Sequence, residues 1–574
     1  MARAQRRLLL SLVALAAFAA ASCSRPGTSG KDRPGPGGGG SLISSVRGEP
    51  RTFNRLMGRD ATTDTLSVLT HARLVRVNRL TDQVEPWLAE RWDTSADALT
   101  YTLFLRQGVR FSDGVPLSAA DVLFSFKAAY DKATGSVLGE SLLVGGKPLE
   151  VTAPDSSTVV VKFPSPFGPG IRLLDILPIL PSHRLEAALE SGSFARAWGV
   201  ETPPSEIVGL GPFRLLEYRP GQRVVLERNP FYWRKDAAGR ALPYLDRLTL
   251  EIVPDQNAEL LRLQAGELDF TQGEIRPEDY GTLKKAEDAG RVRLMDLGVG
   301  LDADSLWFNL RRDKADASRP WLQARDLRHA VSHAVDRNAF ADTVFLGAAV
   351  PIFGPVTPGN KTWYWPDLPT QPFDRARSRE LLAGLGLADR NGDGVLEHKS
   401  GKPARFTILT QKGNTALERG ASFIRESLAA VGLRADVVAL EVGALVERLV
   451  SGDFDAIYFR FLLSDVDPAM ALDFWLTTGG AHVWNPAQPR PATEWEREID
   501  SLMLRQVAAV DLSERQRLFR EAQRILAEEL PIIYFAAPRV YVAMSSRVKN
   551  ATPVLLRPVV LWSADTLAAG TASQ

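Results

Sequence analysis

Apolar and polar positions follow two different periods along this chain, and the two periods separate strands from helices. In Leu99–Leu105 the apolar face is Tyr101, Leu103 and Leu105, an alternation that predicts a half-buried strand. Thr158–Phe163 is a β-branched run of the same kind, and Phe213–Tyr218 with Val224–Arg228 reads as a hairpin turning at Pro220-Gly221. Ser118-x-x-Asp121 is a capping box, and Val122, Phe126 and Tyr130 recur behind it at helical spacing.

Strand and helix periods alternate in two further stretches. Leu248–Val253, Asn257–Ala265 and Leu268–Thr271 predict a βαβ unit, with Gly266 ending the helix. Arg405–Thr410 predicts a strand. The helix behind it carries a stripe of Leu417, Ala421, Ile424, Leu428 and Val431, and Gly432 stops it. Arg434–Leu440, a helix around Val442–Val450 and Phe454–Phe461 complete β-α-β-α-β. Such alternation predicts parallel sheets covered by helices, here in two lobes. Ligands of open parallel sheets bind beyond the carboxyl ends of the strands. That rule selects Thr271–Glu274, including Thr271 and Gln272, on the first lobe. On the second it selects Gln411–Asn414 and Leu462–Asp467.

The N-terminus follows neither period. Arg3, Arg6 and Arg7 precede the apolar run Leu8–Ala21, and Ala20-Ala21-Ser22 leads into Cys23. The run is shorter than the roughly 20 apolar residues of an ordinary spanning helix. The pattern predicts a secretory signal over residues 1–22. The small residues resemble a bacterial lipobox, with Ala20 where that pattern usually has Leu, which makes Cys23 the expected lipidation site. By resemblance to Gram-negative lipoproteins, Ser24 points to the outer membrane. Residues 25–41 are Pro, Gly and Ser with a few charges, so 23–41 is expected to be a lipidated, flexible tether, with folded sequence starting near Leu42.

Composition narrows the remaining possibilities. The 574 residues suffice for two to four domains, on a prior of about 150 residues each. Lys+Arg number 69 and Asp+Glu 68, a balance that excludes a broad nucleic-acid surface. Cys23 is the one cysteine, so no internal disulfide and no Cys-based metal site is possible. The expected location is the periplasm or cell envelope, with the protein anchored by lipid rather than threaded through the membrane.

Catalytic motifs are mostly missing. There is no Gly-x-Ser-x-Gly, His-Glu-x-x-His or P-loop, and the Gly-x-Gly-x-x-Gly match at Gly35–Gly40 lies in the low-complexity tether. Ser546–Lys549 is a Ser-x-x-Lys without companion motifs. His329 and His333 share a face of an expected helix Asp326–Phe340, but they flank its apolar stripe and lack a third ligand, so a structural role is expected. Asp389, Asn391 and Asp393, with Gly394 at the sixth position, match the start of a calcium loop. Ser400 stands where the bidentate Glu belongs, and Glu397 is the substitute available; the same residues also make good turns. No catalytic residue and no cofactor is expected.

Residues 87–126, WLAERWDTSADALTYTLFLRQGVRFSDGVPLSAADVLFSF, closely resemble the signature region of solute-binding family 5, the peptide- and nickel-binding proteins of ABC importers. The resemblance continues in order through Gly209-x-Gly211-Pro212-Phe213, Leu226–Trp233, Gly266–Asp269, Leu327–Arg337, Phe373-Asp374 with Leu381-Leu382, and Gly452–Asp455. It implies an α/β, two-lobed periplasmic-binding-protein fold of type II, with a hinge between the lobes and an extra domain in the first. The implied first lobe is 42–74, 203–298 and 546–574, the extra domain 75–202, and the second lobe 299–545. It further implies a monomer that captures a small solute and delivers it to ABC permease subunits. In peptide-binding members an Asp four residues before a Pro pairs with the ligand's free amine. Ser464 holds that position here, Asp465 is adjacent, and Asp467 directly precedes Pro468. A one-residue shift gives Asp465 the role. Phe459, Phe461, Trp475 and Trp484 are candidates to line a pocket for a sugar, a metal chelate or another solute instead, or to be core. A sensor or scaffold lipoprotein without transport is the alternative reading, and a cell-envelope hydrolase the third.

Overall fold

The computed structural model describes residues 39–58, 60–273, 275–461, 465–486 and 488–570. The signal, Cys23, Glu274 and Ser464 lie outside the described residues. No helix among the described residues is long and apolar enough to cross a membrane.

The second lobe forms as its alternation requires. Arg405–Gln411 lies between Arg434–Leu440 and Ala456–Arg460 and runs parallel to both. Asp304–Phe308 joins antiparallel, followed by Ile532–Tyr534. The helix Thr415–Ala429 starts where the Asn414 side chain accepts from Leu417 N at 3.2 Å. Its face of Leu417, Ala421, Ile424 and Leu428 is buried against the sheet. Each such large aliphatic side chain contributes roughly 1.5–3 kcal/mol by leaving water. Gly452 ends the next helix, Val442–Ser451, in the left-handed region at φ 69°, where a side chain would be strained.

The expected helix Asp326–Phe340 is two helices, Arg325–Ala334 and Arg337–Phe345. Asp336 separates them because its carboxylate accepts from Asn338 N and Ala339 N, which caps the second helix. His329 and His333 each donate to a backbone carbonyl, Glu528 O at 2.8 Å and Pro372 O at 2.7 Å. Their role is structural.

The first lobe departs from a parallel sheet. Ser41–Val46 is parallel to Arg247–Ile252, but Arg223–Arg228 and Phe213–Arg219 continue the sheet antiparallel. The expected strand Leu268–Thr271 is reduced to bridges from Phe270 to Ser44 and Met544. Asp269 explains the interruption. Its carboxylate takes Ile43 N at 2.8 Å and Arg547 at 2.9 Å, so a side chain replaces the ladder's carbonyl.

A separate four-stranded antiparallel sheet orders Ala89–Thr94, Thr100–Leu105, Thr158–Lys162 and Glu150–Asp155. Tyr101, Leu103 and Leu105 are its buried face, as the alternation requires. The helix Ala119–Tyr130 carries the expected capping box, and the buried Asp121 carboxylate takes Ser118 N at 2.9 Å and Ser182 Oγ at 2.7 Å.

One long strand joins the lobes. Ala536–Ser545 pairs antiparallel with Val292–Val299 and with Ala349–Pro351. Ala536 and Ala537 pack in the second lobe, whereas Val542 and Met544 pack in the first.

In the second lobe, Glu496 gathers Trp484, Gln488, Ala492 and Thr493. It accepts from Gln488 Nε2 at 2.9 Å, Trp484 Nε1 at 3.3 Å and Thr493 N at 2.9 Å. Burial alone raises its pKa; the His482 ring and the hydrogen bonds from Gln488 and Thr493 outweigh that and hold it down at about 2. A folded pKa below the unfolded value of about 4.3 gives stability that is complete above pH 5 and lost as pH falls towards about 2. Urea unfolding of Glu496→Gln between pH 7 and pH 3 should therefore show a flatter acid limb, by about 2 kcal/mol. An acid limb identical to that of the parent would remove Glu496 from this role.

Candidate functional site

On the first lobe, Ser41–Val46 and the Phe270 bridge point the chain into Thr271–Gly273. Thr271 is buried. Gln272 Nε2 donates to Ser44 Oγ at 3.3 Å, while Gln272 Oε1 is buried without a protein partner. Gly273 leaves room for Arg47: a Cβ there would lie 2.2 Å from the guanidinium. Arg47 in turn holds the buried Glu259 at 2.9 Å. On the second lobe, Gln411 ends its strand and is half-buried, and Asn414 is committed to capping. Thr410, one residue earlier, is fully buried with its hydroxyl unpartnered. A threonine inside a strand carries no signal of its own in the sequence. Buried polar atoms without partners are uncommon in folded proteins, and here one lies at the carboxyl end of each lobe's edge. Arg419, on the helix that Asn414 caps, donates at 3.3 Å to Glu278 of the helix Pro277–Asp288.

Phe461 packs at 5.2 Å from Trp307 and 5.9 Å from Phe459, half-buried at the end of its strand. Trp475 and Trp484 are core. The first packs on Phe519 at 5.1 Å and the second bonds Glu496.

The loop beyond Phe461 is held by charge. Asp467 and Arg515 form a buried bidentate pair at 2.5 and 2.9 Å, and Asp467 also caps Pro468–Ala471 through Ala469 N at 3.0 Å. Its place is structural. Asp465 faces away from its own lobe. Arg172 of the four-stranded domain donates to both its oxygens, Nη2 to Oδ1 at 2.9 Å and Nε to Oδ2 at 3.2 Å. The same guanidinium meets the Asp82 carboxylate at 2.8 Å and the Asp82 carbonyl at 3.3 Å. Burial and the second carboxylate raise the Asp82 pKa against the pull of Arg172. Burial opposes the charge on Arg172, but Asp465 and Asp82 outweigh it and raise its pKa. Two carboxylates thus share one cation. Beside them Gly168 N donates to Val507 O at 2.5 Å, and a Cβ at Gly168 would lie 2.3 Å from Ala509 O. Nothing in the sequence indicated Arg172, Asp82 or Gly168, since Arg172 and Asp465 lie 293 positions apart.

Asp389, Asp393 and Glu397 bring carboxylate oxygens within 4.8 Å of one another, the one such group of three among the described residues. Those oxygens already accept backbone N–H groups: Asp389 from Gly392 and Gly394, Asp393 from Val395, and Glu397 from Arg390. Asn391 Oδ1 accepts from Asp393 N at 2.8 Å. The loop closes as a turn on its own hydrogen bonds.

Two α/β lobes share the strand Ala536–Ser545, and polar groups stand where the strands of each lobe end. Residues 83–482 match the bacterial extracellular solute-binding proteins, family 5 Middle, and the chain belongs to that family. A probable ABC transporter-binding protein of Deinococcus radiodurans is 29% identical over 506 residues, 84% of each chain. The oligopeptide-binding protein AppA of Bacillus subtilis is 27% identical over 564 residues, 95% of each chain. The solved structure of AppA with a nonapeptide superposes with a TM-score of 0.73 at 26% identity, covering 93% of this chain and 100% of that one. The fold is the two-lobed periplasmic-binding-protein fold, and members of the family are binding proteins.

The two loop aspartates should separate in mutagenesis. Asp467→Ala leaves Arg515 buried and unpaired and should cost about 3–5 kcal/mol. Asp465→Asn leaves Arg172 paired with the Asp82 carboxylate and should cost less, about 1–2 kcal/mol. Equal losses in urea unfolding would contradict the division into one structural and one interlobe carboxylate.

Proposed function

We propose that this protein captures a peptide-type or similar small solute between its lobes and delivers it to the permease subunits of an ABC importer. The reading is carried by the membership in family 5 over residues 83–482, supported by the oligopeptide-binding relative that matches along nearly the whole chain. In this reading 42–74, 203–298 and 546–574 act as one lobe and 299–545 as the other, with 75–202 as an added domain. Thr271 and Gln272 from one side, and Gln411, Asn414 and Phe461 from the other, form the walls. The closed state gains contacts to the solute from both lobes, and that difference shifts the equilibrium.

Cys23 is the proposed lipid anchor, and the Gly/Pro run behind it the tether. Confinement to the membrane surface raises the local concentration of the binding protein at its permease. A single copy suffices for capture and delivery.

Mass spectrometry of the purified, then denatured, protein should find a released solute, and adding that solute back should raise the melting temperature. No released solute and no stabilisation by a peptide library would overturn the reading. Cys23→Ser should move the protein from the membrane fraction to the soluble envelope fraction; an unchanged distribution would remove Cys23 as the anchor.

A further inference from the structure

Three distant segments of the chain meet around a cavity of about 40 Å³. His71 caps the C-terminal end of the helix Ala61–Thr70, Asp175 closes the turn Gly170–Asp175, and Ala564 and Asp565 belong to the turn Leu561–Thr566. The chain just before Phe213 lies hard against His71. A Cβ at Gly209 would come within 1.9 Å of Thr70 O, and one at Gly211 within 2.5 Å of Leu69 O.

His71 is 2% exposed, and its Nε2 has no hydrogen-bond partner among the described residues. The other ring nitrogen fixes what Nε2 can do. Thr70 Oγ1 lies 2.8 Å from Leu66 O and 2.8 Å from His71 Nδ1. A hydroxyl has one hydrogen and a carbonyl can only accept, so Thr70 donates to Leu66 O and accepts from His71 Nδ1–H. Burial, and after it the charge of Arg73, hold the ring's pKa down at about 3, so at neutral pH that is the ring's one N–H proton. Nε2 therefore presents a lone pair, which only a donor satisfies. Arg73 lines the same cavity, and its guanidinium, which can only donate, has no hydrogen-bond partner among the described residues. Asp175 adds an acceptor, with Val77 N as its backbone partner.

The walls call for guests that donate to Nε2 and Asp175 and accept from Arg73. Volume decides their kind. A water needs about 10–15 Å³ of such space, so the cavity holds about three. A free solute of three or four non-hydrogen atoms reaches about millimolar affinity at best, and below that concentration water fills the space. We propose that the cavity is an internal hydration site: ordered waters donate to His71 Nε2 and Asp175, accept from Arg73, and so bond the end of the helix Ala61–Thr70 to the turn Gly170–Asp175. None of the residues proposed as walls of the solute cleft lines it, and it holds whatever the solute is.

A high-resolution crystal structure of the protein should show water density within about 3.2 Å of His71 Nε2. Nitrogen-15 NMR of histidine-labelled protein, with the His71 signals assigned by their loss in His71→Phe, should place the proton on Nδ1 and find no titration between about pH 5 and pH 8. His71→Gln keeps an acceptor oxygen and should keep the water. His71→Phe should lose it and melt at a lower temperature than His71→Gln. A proton on Nε2, an Nε2 bonded to a protein donor, a dry cavity or density for an organic molecule there would each overturn the hydration site. If neither variant folds, the parent's crystal structure still decides, and the ring signals are assigned by their proximity to Thr70 instead.

Discussion

The strand Ala536–Ser545 is the constraint on which the remaining architecture depends. Its first residues, Ala536 and Ala537, are packed in the two hydrophobic cores of the second lobe and its last, Val542 and Met544, in that of the first, so one strand contributes to both lobes. The ladder to Val292–Val299 loses register between Asp296 and Val299, midway between the two cores. Irregular pairing at that point lets the backbone bend where the packed ends do not. A rigid body on each side of a bendable ladder is what hinge closure requires. Gln272 and Thr410, each with a buried polar atom that has no protein partner, lie one on each lobe.

The domain of the four-stranded sheet gives the second lobe another point of support. Through Gly168 and Val507 it meets the second lobe backbone to backbone, and through Arg172 and Asp465 by charge. Apolar contact accompanies both, since Val507 and Ala469 of the second lobe pack with the first lobe's core. A ligand can shift the open–closed equilibrium only by its differential affinity for the two states. Contacts made by the protein itself set the starting point of that equilibrium. They thereby set how much of the ligand's binding free energy is needed for closing.

Local signals were legible and long-range ones were not. The alternation from Arg405 to Phe461 specified every strand and helix of the second lobe's parallel core, because each element buries its own stripe. Ser118 and Asp121 marked a helix start correctly because a capping box is complete within four residues. The strand expected at Leu268–Thr271 failed because Asp269 competes with the backbone for Ile43 N, a contact between segments 226 positions apart. The helix expected through Phe340 failed at Asp336, an acidic residue that looks like any solvated position until its cap is seen. Site residues suffered most. Asp465 and Asp467 are near-identical in sequence, and only their partners, Arg172 and Arg515, separate a lobe-bridging carboxylate from a structural one. Family 5 resemblance supplied the lobes and the loop, but not which charges meet across them.

The central claim is that solute is held between the lobes rather than on either one. Hydrogen–deuterium exchange with and without the solute that the protein releases tests it most directly. The account predicts slower exchange at 271–273 and at 410–415 together, with 168–172 slowed or already protected. Protection confined to one lobe, or appearing only at the 389–397 loop, would contradict it.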